Sequence, residues 1–207
     1  MSVFEQEVER YDRWFEKNAA VYASEVAAVR ALLPERGRGL EVGTGTGRFS
    51  IPFGIEDGVE PAKAMRERAI QQGLKVLDAS AEALPFPDQS FDFVLLVTTI
   101  CFVQDPALAM REAWRVLRLG GSLVVGFVDR QSRIGKQYES RKSESPFYRE
   151  ASFFSMDEVK QQMKCAGFKE FRVRQTLFKS LDKIADVEPV LEGSGEGGFV
   201  VLSGIRR

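Results

Sequence analysis

Residues Phe91–Val97 read Phe-Asp-Phe-Val-Leu-Leu-Val, an almost unbroken apolar run. Successive side chains of a strand point to opposite faces of the sheet, so a half-exposed strand alternates apolar and polar residues. A strand apolar at both parities needs cover on both faces, which the helices of a parallel sheet provide. This segment therefore commits the chain to an α/β architecture. Its neighbours agree. Arg38–Val42, Gly58–Glu60, Lys75–Leu77 and Leu123–Val128 have the composition of short buried strands. Helical stretches lie between them: 62–72, entered at Pro61 and left at Gly73; 106–117, stopping before Gly120 and Gly121; and 156–166, capped by Ser155 and ended by Gly167. Strands alternating with helices give a mostly parallel sheet covered on both faces. Residues 168–178 and 198–206 are strand-like with no helix between them, so they are expected to pair antiparallel. The expected fold is a Rossmann-like three-layer α/β/α sandwich: a mostly parallel seven-stranded sheet with an antiparallel C-terminal strand.

The chain has 207 residues, which suits one domain able to bury about 70% of its unfolded surface. Val3, Phe4, Val8, Tyr11, Trp14 and Phe15 fall at mostly helical spacing, and a second helix, about 23–33, stops at Pro34. Residues 1–35 are expected to form a helical cap. Residues 130–155 are polar, mixed in charge and without a clear period; they are expected to form a lid-like insertion in the single domain 1–207.

The sharpest motif follows the first strand: Glu41-Val42-Gly43-Thr44-Gly45-Thr46-Gly47-Arg48. Glycines at every second position let the backbone turn tightly and come close to a ligand. Ligands of open α/β sheets bind at such a turn, at the carboxyl ends of the strands. The dinucleotide fingerprint G-x-G-x-x-G would need its third glycine at position 48, where Arg48 stands. That bulk opposes close packing of helix on strand. The spacing found favours S-adenosylmethionine (SAM), which has no phosphate and needs close approach to a ribose and an amino-acid tail. Glu60, at the end of the presumed second strand, is placed to accept hydrogen bonds from both ribose hydroxyls.

The composition removes several chemistries. There is no histidine, and the two cysteines, Cys101 and Cys165, are far apart. Ser-His and Cys-His nucleophiles, a histidine base and a Cys/His metal cluster are thereby excluded, and no metal site is expected. A formal net charge of −1 offers no general attraction to a polyanion, so no nucleic-acid partner is expected. No apolar stretch of about 18 residues occurs and the N-terminus carries no signal-like core, so no membrane span is expected and the expected location is cytoplasmic. The sequence leaves monomer and homodimer equally open.

The ordered segments EVGTGTGR (41–48), GVEPAKAM (58–65), ASAEALPFPDQSFDFVLLVTTICFVQDP (79–106), ALAMREAWRVLRLGGSLVV (107–125) and FFSMDEVKQQMKCAGF (153–168) together resemble the UbiE-like, type 11 branch of the class I SAM-dependent methyltransferases. The resemblance implies transfer of the SAM methyl group to a small-molecule acceptor through an N, O or C nucleophile, with S-adenosylhomocysteine as product. It also implies roles. Glu41 would anchor the glycine loop near the methionine ammonium. Gly43, Thr44, Gly45, Thr46 and Gly47 would wrap the methionine and ribose. Glu60 would hold the ribose, with Pro61 and Met65 against the adenine. Ser80, Ala81 and Glu82 would meet the adenine edge, and Val97 and Thr98 the SAM amino group and sulfonium. Three departures stand out. Ser80 replaces the family's usual Asp or Asn, Pro52 cuts short the helix after the glycine loop, and Cys101 and Phe102 occupy the positions of a frequent His pair.

Methyl transfer from a sulfonium needs little acid–base help, so the lack of histidine is compatible with it. The sequence names no general base. Tyr11, Trp14 and Tyr22 from the cap, Phe102, and Tyr138 from the lid are the candidates to box an acceptor by stacking or cation–π contact. An ordinary core role competes for Trp14 and Phe15, which sit on an amphipathic helix. A SAM-binding protein without turnover and an NAD(P)-dependent oxidoreductase are the alternative functions.

Overall fold

A computed structural model describes residues 3–207; the first two residues of the expected cap lie outside the described part. Three helices open the chain: α1 (Val3–Gln6), α2 (Val8–Lys17) and α3 (Ala19–Arg30). α2 is amphipathic. It buries Asp12 and Phe15 while Glu9, Arg10, Arg13 and Glu16 face solvent. α3 begins at Ala19, earlier than the sequence suggests, because Asn18 ends α2 by returning both its backbone N–H and its side-chain amide to the Trp14 carbonyl.

β1 (Gly39–Val42), the single turn α4 (Ser50–Phe53), β2 (Asp57–Val59), α5 (Lys63–Gln71) and β3 (Lys75–Leu77) follow. α4 is as short as Pro52 implies and stops at Gly54, in the left-handed region at φ +66°. Then come β4 (Phe91–Val97), α6 (Pro106–Val116), β5 (Leu117–Val128), α7 (Arg133–Arg141), α8 (Met156–Cys165), β6 (Phe168–Thr176), β7 (Leu191–Glu192) and β8 (Phe199–Arg206). No described helix is long and apolar enough to cross a membrane.

The strands form one sheet in the order β3-β2-β1-β4-β5-β8-β6-β7. β1 to β5 run parallel, and β8 runs antiparallel to both of its neighbours, β5 and β6. The eighth strand, β7, is a two-residue edge added to the seven expected. β4 behaves as its composition requires. Val94 and Leu96 join the core under α6 and α8, whereas Phe93, Leu95 and Val97 join the core under α3. The chain leaves β1 toward β2 and β3 on one side and leaves β4 toward β5 on the other. The β1–β4 boundary is therefore the switch point where an open α/β sheet leaves a crevice.

Two boundaries differ from expectation. β5 starts at Leu117, six residues before Leu123, and includes Gly120 and Gly121. Gly120 adopts φ +79°, and the pairing with β4 jumps from Phe91–Leu117 to Phe93–Ser122, so the glycines form a bulge within the ladder. In the 130–155 segment, α7 forms because the Ser132 hydroxyl accepts the Gly135 N–H at 2.9 Å, capping the helix.

Candidate cofactor and acceptor site

The glycine loop leaves β1 over the carboxyl end of β2. Gly43 and Thr44 donate their N–H groups to the Val59 carbonyl at 2.9 and 3.1 Å. Gly43 (φ +74°) and Gly45 (φ +56°) are left-handed. A Cβ on Gly43 would run into the Thr99 side chain, and one on Gly45 would come within 3.1 Å of the Tyr11 hydroxyl. The loop thus needs glycine for its turn and for close approach.

Glu60 closes the loop from below. Its carboxylate accepts the N–H of Gly45 and of Ala62, each at 2.9 Å. Burial raises its carboxyl above the usual range, and these two N–H donors act in the opposite direction. Each oxygen keeps lone-pair capacity for a further donor. Glu60 lines a cavity of about 560 Å³ at the switch point.

The cavity gathers most of the expected residues. Gly43, Gly45, Glu60, Pro61 and Met65 line it, as do Ser80, Ala81 and Glu82. Val97 and Thr98, at the end of β4, line it as well. Thr98 is held at φ +51° with its N–H on the Gly126 carbonyl at 2.8 Å. That conformation is rare for a β-branched residue, and such strain concentrates at binding and catalytic sites. Tyr11, Trp14, Phe102 and Tyr138 line the cavity too, together with Phe4, Phe15, Phe147 and Tyr148, and Tyr11 reaches the glycine loop at Gly45.

Five expected residues lie outside the lining. Glu41 is buried beneath the loop, where the Ser50 hydroxyl donates to it and burial pushes its carboxyl up to about 8. The Thr44 hydroxyl donates to the Glu41 carbonyl at 3.1 Å, and Gly47 faces Leu74. The Thr46 hydroxyl donates to Asp12 at 2.7 Å. Tyr22, expected against the acceptor, instead donates its hydroxyl to the Arg48 carbonyl and packs edge-on against Phe15 and Phe49. It props the loop rather than facing the cavity.

The cap is fastened to this site by polar side chains. Asp12 on α2 also accepts Arg48 Nε at 2.8 Å, and Glu5 on α1 accepts the N–H groups of Lys63 and Ala64 at the start of α5. Glu25 on α3 and Thr99 line the cavity as well, although neither was an expected site residue. Thr99 was signalled only by its place just past β4. Among the described residues, no Lys or Arg lines the cavity, whereas Glu25, Glu60, Glu82 and Asp105 do. Among the described residues, no group of three or more His, Cys, Asp or Glu is placed to hold a metal.

The profile of the methyltransferase domain family matches residues 40–125. Over 99% of both chains, at a TM-score of 0.97, the structure superposes on a SAM-dependent methyltransferase of Thermotoga maritima, a possible histamine N-methyltransferase, to which the chain is 52% identical. The chain belongs to the SAM-dependent methyltransferases. It is also 47% identical to an uncharacterized protein of Methanocaldococcus jannaschii over 98% of both chains. A demethylmenaquinone methyltransferase of Roseiflexus castenholzii is 38% identical over 100 residues, 44% of this chain and 42% of that one.

SAM is the cofactor of this family, and the cavity suits it. The glycine cradle admits a ligand where a Cβ would intrude, and Glu60 offers a buried acceptor beside it. Walls that carry acids and no bases match a sulfonium cation and oppose the pyrophosphate of a dinucleotide.

Proposed function

We propose that the protein transfers the SAM methyl group to a small organic acceptor held among the aromatic side chains of the cavity. One observation carries this reading: a single cavity is lined by Gly43, Gly45 and Glu60, by Val97 and Thr98, and by Tyr11, Trp14 and Tyr138. A space shared by cofactor and acceptor leaves room only for a small acceptor.

The residues of the expected cofactor set would act from their places around that space. Glu60, Gly43 and Gly45 would hold the ribose and tail, Pro61 and Met65 the adenine face, and Ser80, Ala81 and Glu82 its edge. When bound, SAM supplies a methyl group on a sulfonium whose leaving group is neutral. The chain's task is then alignment and water exclusion. Alignment of reacting groups is worth roughly 7–11 kcal/mol. Residues 3–35, the described part of the cap, and residues 130–155, the lid of the single domain, would shut solvent out with aromatic side chains.

Calorimetric titration with S-adenosylhomocysteine and with NAD, followed by methyl transfer from SAM to an acceptor panel, tests the reading. Micromolar binding of the first, none of the second, and transfer to a small acceptor are expected. Absence of S-adenosylhomocysteine binding overturns it.

A further inference from the structure

α3 packs on β5, β6 and β8 and buries Val21, Ala28 and Val29 together with Ser24, whose hydroxyl is satisfied by the Ala20 carbonyl and the Glu188 N–H. Glu25 is buried with them, 5% exposed, and lines the cavity. A buried carboxylate is ordinarily paired or hydrogen-bonded, because desolvation of an unpaired charge is costly. Glu25 has neither kind of partner among the described residues: burial alone pushes its carboxyl up to about 8, with no hydrogen bond or cation to hold it down. Tyr11 on α2, Tyr138 on α7 and Tyr148 beyond it line the same cavity, and the charge of an ionised Glu25 is felt by all three phenols and by Tyr22 on its own helix. Tyr138 and Tyr148 stack with ring centres 4.9 Å apart, closing the wall beside it. An acid without a partner, in a cavity it shares with aromatic side chains and with the expected cofactor residues, is a receptor for a cation.

We infer that Glu25 is the acceptor-recognition residue, that the acceptor is an amine entering as an ammonium, and that Glu25 takes its proton. This rests on the methyl-transfer reading above. Entry of the ammonium displaces the Glu25 proton to solvent, so that the carboxylate pairs with the cation; the ammonium N–H bond then breaks and its proton moves to Glu25, freeing the nitrogen lone pair. That lone pair forms the N–C bond as the C–S pair returns to sulfur, so the positive charge passes from sulfur to nitrogen. The methylated ammonium leaves Glu25 protonated, as it was before entry. Its elevated proton affinity suits the exchange with an ammonium group better than that of an exposed carboxylate.

The test loads the protein with S-adenosylhomocysteine and measures binding of phenethylamine, tyramine and butylamine, each against the alcohol of the same skeleton. At least one amine is expected to bind ten or more times more tightly than its alcohol. Glu25→Gln, which keeps the shape and removes the charge, is expected to abolish that preference while S-adenosylhomocysteine binding stays as in wild type. A panel without amine preference, or a preference that survives Glu25→Gln, overturns the inference. Failure of wild type to bind S-adenosylhomocysteine sinks the methyltransferase reading instead.

Discussion

Gly43→Ala is the substitution whose cost the structure fixes most closely. At φ +74° an alanine is strained by about 1–2 kcal/mol. Its Cβ would also meet the Oγ1, Cγ2 and Cβ atoms of Thr99, an overpacking worth about 1–3 kcal/mol. The expected loss is the sum, about 2–5 kcal/mol. Thr99→Ala removes two of the three clashing atoms and leaves the Cβ at 3.0 Å, so the double variant should recover roughly the steric share, about 1–2 kcal/mol. The backbone share should stay lost. Urea unfolding followed by tryptophan fluorescence gives the four stabilities of the cycle, and calorimetry gives their S-adenosylhomocysteine affinities, which should fall with Gly43→Ala and return only in part. If the two substitutions add to within about 0.3 kcal/mol, Thr99 is not what forbids a side chain at position 43, and the steric argument is wrong.

Glu60→Ala removes the acceptor of the Gly45 and Ala62 N–H groups, and S-adenosylhomocysteine affinity is expected to fall at least tenfold; an unchanged affinity would refute its role. Asp12→Ala strips Thr46 and Arg48 of their acceptor. Breaking a buried pair costs about 3–5 kcal/mol, and because Arg48 is a quarter exposed we expect about 2 kcal/mol, with more rapid proteolysis of the cap. Ser155→Ala, which breaks the capping box of α8, should lower stability by about 1 kcal/mol and leave cofactor affinity untouched. The carboxyls of Glu25 and Glu41 keep protons in the folded chain that the unfolded chain releases. Their stabilising contribution is whole below the ordinary carboxylate range, near 4.5, and is lost as pH rises to about 8. Glu25→Gln should therefore flatten the decline in melting temperature between pH 5 and 9, and an unchanged slope would count against an unpaired Glu25.

What was legible in the chain was local. The turn chemistry of Gly43 and Gly45, the two-sided apolarity of β4, the break at Pro52 and the Ser155 cap depend on neighbours within a few positions, so spacing alone exposes them. What was missed depends on tertiary partners. Gly120 resembles a helix stop, yet the left-handed turn it permits lies inside β5, a bulge that only the register with β4 reveals. Tyr22 belongs to a cap rich in aromatics, and nothing near it in sequence says that its hydroxyl meets the Arg48 carbonyl. Glu25 had a signal that went unused. It falls four residues after Val21 and three before Ala28, in the buried stripe of a helix where a solvated acid has no place.

The position of β8 sets the order in which the sheet is assembled during synthesis. Residues 199–206 slot between β5 and β6, so a nascent chain holding residues 117–176 already carries both flanking strands and not the strand that joins them. Until Phe199 and its successors leave the ribosome, β5 shows an open edge next to Val124 and Val125, and β6 has only the two-residue β7 to pair with. Open edges of that kind recruit other chains. A chain that stops before residue 199 therefore leaves the β5 edge uncovered and is expected to associate with other chains through it.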